Sequence, residues 1–79
     1  VDLDELDKQL LQAHAEKDVP ALIRLYHQAA ILAEERQHHE ASCFYLTHAF
    51  VFALEYGAPE ADELNLKLFE RGRAHRLSF

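Results

Sequence analysis

Residues 41–56 read ASCFYLTHAFVFALEY, a run broken only by Ser42, Thr47, His48 and Glu55. A helix that is apolar round nearly its whole circumference cannot turn any broad side to water, so this segment must be the central element of the fold, with neighbours on opposite flanks. The rest of the chain is shorter-ranged in its demands. Two glycines and two prolines in 79 residues leave little turn-forming material, and 49% apolar content supplies a core. Together these features predict an all-α domain rather than a sheet or a disordered segment.

Four helices account for the pattern. The first is expected over 4–16, with Leu3, Leu6, Leu10 and Ala13 at three- and four-residue steps, Leu11 widening the stripe, and Asp2, Asp4, Glu5 and Asp7 at the positive end of the helix dipole. Pro20 is placed to open a second helix over 20–37, whose core stripe is Leu22, Leu25, Tyr26, Ala29, Ala30, Leu32 and Ala33. Arg24, His27, Gln28, Glu34 and Glu35 line its other side. A break is inferred at 36–39, because an unbroken helix over 20–56 would be about 55 Å long and too much for so small a chain to cover. The third helix ends at Tyr56 with Gly57 as a left-handed cap. Pro59 opens a fourth, with Leu64, Leu68 and Phe69 on one face and Gly72 at its end. Residues 73–79 show no clear period and read as a frayed basic tail. Short connections make the arrangement antiparallel and up-and-down, a single domain over 1–79 with the third helix between the second and fourth.

The helical pair over 22–56 resembles a tetratricopeptide unit. Leu25 stands at the family's large early position, Ala29 at its small crossing position and Leu32 at the next large one; Ala41 and Tyr45 match the small and aromatic positions of the second helix. Gln28 and His48 depart from the pattern, and the closing proline comes late, as Pro59. The resemblance implies a groove lined by the first helix of the pair, which here is Ile23, Tyr26, His27, Ala30 and Glu34. Its implied occupant is a peptide segment or helix of another protein, bound without chemistry. One and a half repeats is a short array, so either the outer helices act as caps or two copies pack face to face.

Charge and site chemistry narrow the function further. Residues 1–70 hold fourteen acids against five bases, a balance of −9, while Arg71, Arg73 and Arg76 make 71–79 +3. An acidic body disfavours nucleic acid, leaving the basic tail as the only footing for that alternative. The alternative metal reading is Glu35, His39 and Cys43, four residues apart, with His38 as a fourth ligand. The inferred break at 36–39 would destroy their common face, so no metal or other cofactor is expected. Cys43 and His48, five apart, fall about 140° apart round a helix and cannot form a nucleophile pair. His39, four residues before Cys43, could reach it, but no third group is placed to orient the histidine and there is no Gly-rich phosphate loop, so the chain is not expected to be an enzyme. His14 is expected partly buried and hydrogen-bonded at its helix end. The single cysteine suits a reducing compartment, the opening residues show no charged-then-apolar leader, and 41–54 is too short and interrupted to span a bilayer, so the expectation is cytoplasmic. The strongest surface signal lies on the third helix, where Phe44 and Val51 occupy its most polar side: either a flanking helix covers them, or a partner protein or second copy does.

Overall fold

The computed structural model describes residues 3–72. Four helices, α1 (Leu3–Glu16), α2 (Val19–Glu35), α3 (His39–Tyr56) and α4 (Glu60–Glu70), follow one another without strands among the described residues. They pack antiparallel in chain order, α1 on α2, α2 on α3 and α3 on α4. The fold is therefore all-α and up-and-down, with α3 between α2 and α4.

The turns show how each helix stops. After α1, Lys17 adopts φ +55°, and the Asp18 N–H reaches the Ala13 carbonyl at 3.0 Å. After α2, Gln37 adopts φ +61°, and His38 N–H reaches Ala33 at 2.9 Å. After α3, Gly57 adopts φ +75°, and Ala58 N–H reaches Ala53 at 2.9 Å. Each is the six-to-one bond of a Schellman ending, which satisfies carbonyls that a helix C-terminus would leave bare. The break inferred at 36–39 is thus real, with Gln37 in the position glycine normally takes. Asp18 caps α2 by accepting from Ala21 N–H at 3.2 Å. Val19 and Pro20 follow in the first turn, and Pro59 caps α4 from just outside it.

Small residues set the α2/α3 crossing. Ala29, Ala30, Ala33, Ala49 and Ala53 are all buried, and Ser42 with them. Two apolar clusters flank this pair. Leu6, Leu10 and Ala13 of α1 pack with Ala21, Leu22, Leu25 and Ala29 on one side. Ala61, Leu64 and Leu68 of α4 pack with Ile23, Ala30, Leu46 and Phe50 on the other. The buried arc of α2 is accordingly wider than its sequence stripe, because α1 and α3 pack on it and side chains of α4 reach it from a third direction.

Three packing expectations are corrected. Leu11 is 71% exposed and does not widen the α1 stripe. Phe69 does not join Leu64 and Leu68; it lies about 140° round the helix from Leu64 and is half exposed, while Ala61 and Asn65 complete the buried face. His14 is exposed rather than partly buried, although it does make a hydrogen bond.

Candidate interaction surface

The residues expected to face a partner separate into two groups. Ile23 and Ala30 are core: they lie in the cluster that α2 shares with α3 and α4, with 3% and 2% of their surface left to solvent. They cannot supply contact area. His27 and Glu34, one turn on from Ile23 and Ala30 respectively, lie at the edge of the same packing and hold α4 in place. Lys67 Nζ donates to His27 Nε2 at 2.9 Å. Arg71 lies 3.7 Å from the Glu34 carboxylate, which also accepts from His39 Nδ1 at 3.4 Å. Burial, and then the Lys67 charge, push the His27 pKa below its ordinary value. The bond to His39 does most to hold the Glu34 carboxyl down, with Arg71 and the Ser42 hydroxyl adding to it.

A shallow cavity of about 190 Å³ lies between these side chains, with Ala30, Ile31, Leu46 and Ser42 in its lining. Ser42 is 1% exposed, and its hydroxyl has no hydrogen bond of ordinary length and angle. The cavity is below the usual range for a small-molecule site, roughly 300–1,000 Å³. Four of its polar groups are also already engaged in pairs, Lys67 with His27 and Arg71 with Glu34.

The second group gathers round Tyr26, about 60° round α2 from Ile23, and on the outer side of α3. Tyr26 stacks on Phe52 of α3, with ring centroids 5.9 Å apart and planes 18° from parallel. Its hydroxyl is hydrogen-bonded to His14 Nε2 at 2.9 Å. The His48 ring is 5.1 Å from Tyr26 and 4.4 Å from Phe44, so the three form a continuous band from α2 to the outer side of α3. Burial, with Tyr45 nearby, raises the Tyr26 pKa. Tyr26 and Phe44, read separately from the sequence, thus belong to one surface.

Beside that band, α3 presents an outward stripe. Phe44 is 57% exposed, Val51 43% and Leu54 41%, with Thr47 exposed between them. No helix among the described residues covers the stripe. The polar members of this side turn their donors inward along the helix. Thr47 Oγ1 donates to the Cys43 carbonyl at 2.8 Å, and His48 Nδ1 to the Phe44 carbonyl at 3.0 Å. The sequence reading found Phe44 and Val51 but missed Thr47 and Leu54, although the spacing of three, four and three residues through 44, 47, 51 and 54 was there to be read.

The alternative metal set is not assembled. Glu35 ends α2, His39 begins α3 across the turn and pairs with Glu34, and Cys43 is buried. No group of three or more His, Cys, Asp or Glu side chains among the described residues converges on a metal-sized site. Cys43 and His48 lie on one helix at the separation that keeps them apart. Of the basic residues toward the C-terminus, Arg71 is paired with Glu34, while Arg73 and Arg76 lie outside the described residues. No helix among the described residues is long and apolar enough to cross a membrane. Comparison with known protein families, with curated proteins and with solved structures finds no match to this chain.

Proposed function

We propose that this chain is a non-catalytic protein-interaction module, a tetratricopeptide-like hairpin flanked by one helix on each side. Its partner docks on the surface formed by Tyr26, His48, Phe44 and Val51. The observation that carries this reading is the exposure of Phe44 and Val51 on the helix whose sequence is the most apolar in the fold. Each large apolar side chain left in water forgoes roughly 1.5–3 kcal/mol of burial, and a cluster of them on a central helix is what a binding face looks like. The proposed groove differs from the one implied by family resemblance: α4 occupies the α2 side, so docking shifts to the aromatic band and the outer side of α3. His27 and Glu34 then serve to position α4 rather than to read a partner.

The test is affinity capture with the full chain from extracts of the source cells. A partner recovered by the wild-type protein should be lost with Phe44→Ser combined with Val51→Ser, and kept with Leu11→Ser, a still more exposed apolar residue on α1. Retention by the double variant, or loss with Leu11→Ser alone, would remove this surface from the proposal.

A further inference from the structure

We infer that the α3 stripe takes an amphipathic helix with basic flanks. This rests on the module reading above and adds to it the shape and charge of the occupant. The shape follows from spacing. Phe44, Thr47, Val51 and Leu54 repeat at three, four and three residues, the seam on which a second helix sets its own apolar side chains. At 1.5 Å per residue the seam is about 15 Å long, enough for three turns of a partner. Its two hydrogen-bonding side chains, Thr47 and His48, direct donors to carbonyls of their own helix, so they make little demand on a partner's polar groups.

The charge follows from what borders the seam. Across all eighteen residues of α3 there is no Lys or Arg; its formal charges are Glu40 and Glu55, one near each end of the stripe. Both are exposed, and about 22 Å of helix separates them. On α4, Asp62 and Glu70 are exposed beside the half-exposed Leu66 and Phe69. Lys67 and Arg71, the described bases of that region, turn the other way, to His27 and Glu34 of α2. A second copy of the chain would bring another acid-flanked α3 against this one, whereas lysines or arginines flanking an apolar helix would be attracted at both ends. The occupant is therefore a helix of another protein with apolar residues at i, i+3, i+7 and i+10 and basic residues beside them.

The experiment uses the full chain and three synthetic helical peptides of about 20 residues, followed by fluorescence anisotropy. One carries Leu at those four positions with flanking Lys, one the same Leu stripe with flanking Glu, and one the Lys composition with its Leu residues scattered round the helix. The Lys-flanked stripe should bind at least about tenfold more tightly than either control at low salt, and its advantage over the Glu peptide should shrink as salt rises. Phe44→Ser with Val51→Ser should weaken it about tenfold or more, Glu55→Lys should erode the preference for Lys over Glu, and Ile31→Ser on α2 should change it less than about twofold.

Equal binding of the Lys and Glu peptides, equal binding of the scattered control, or no binding by any of them would overturn the inference. So would a dimer in sedimentation that Phe44→Ser with Val51→Ser dissolves, because a second copy would then own the stripe. If the peptides fail while affinity capture still depends on Phe44 and Val51, the basic-helix occupant falls and the interaction module stands. Both positions are exposed, so unchanged thermal melting of the variants separates lost binding from lost folding.

Discussion

His27 shows how a single side chain can tie the stability of this fold to pH. It sits half-buried between α2 and α4 with Lys67 Nζ at 2.9 Å, an arrangement that requires the neutral ring to accept. Burial and the Lys67 charge lower its pKa from the ordinary value of 6.5, and Glu63 and Glu60 oppose them only in part. The folded pKa is therefore below the unfolded one. At a pH under 6.5 the unfolded chain binds the proton more readily, so His27 contributes stability above that value and loses it as pH falls through the folded pKa. Acidification from about pH 7.5 to 5.5 should accordingly lower the melting temperature more in the wild type than in His27→Gln, which keeps the polar contact and cannot titrate. Equal decreases would show that the ring does not feel its folded surroundings. Glu34, also lowered, acts in a separate and more acidic window, below the ordinary carboxyl value of 4.5, where protonation removes its contacts to His39 and Arg71. No sequence pattern marked His27 for this role, because Lys67 is forty residues away and only the packing of α4 brings them together.

At the scale of the helices, endings and crossings were legible to different degrees. Gly57 announced the end of α3, and Pro20 the start of α2, because both residue types restrict or release φ in ways a pattern can read. The turns at Lys17 and Gln37 carry the same left-handed backbone on residues that give no such notice. An L-residue there bears strain of roughly 1–2 kcal/mol that glycine avoids. Gln37→Gly should therefore stabilise the protein by about 1 kcal/mol, a rise of roughly 4–8 °C in melting temperature for a chain of this size. No gain would mean that the Gln37 side chain stabilises the turn by something other than its backbone. The α2/α3 crossing makes the opposite demand. Ala49 is fully buried where the two helices meet, and the alanines at 29, 33 and 53 let the backbones approach. Ala49→Leu should push them apart and cost about 1–3 kcal/mol, visible as a lower denaturation midpoint with an unchanged slope. The small-residue pattern at this crossing was readable in the sequence because it is local to two adjacent helices. The cluster that joins Ile23 and Ala30 to α4 was not, because it depends on how three helices settle together.

The whole molecule is flat, 33 × 29 × 13 Å between Cα extremes. Between Cα atoms that thickness amounts to one interhelical spacing of roughly 8–10 Å plus one Cα cylinder of about 4.6 Å, so the helices form two layers and each keeps one side toward solvent. This geometry explains why the apolar run of 41–56 could correctly indicate a central helix and still leave Phe44, Val51 and Leu54 in solvent. Flanking helices cover two sides of α3 and do not close over a third. The core of so small a domain consequently rests on few side chains, among them Leu64, fully buried between α4 and the α2/α3 pair. The two kinds of apolar residue should respond in opposite ways to truncation. Leu64→Ala should cost about 2–5 kcal/mol, a large share of what a domain of this length has, and should weaken binding only through the folded fraction. Phe44→Ser with Val51→Ser should change stability by no more than about 0.5 kcal/mol at each site while removing the docking surface. Measuring denaturation midpoint and partner capture on the same two proteins tests the division directly. A double variant that unfolds as readily as Leu64→Ala would show that the outer stripe of α3 belongs to the core, and its exposure could no longer stand as an indication of binding.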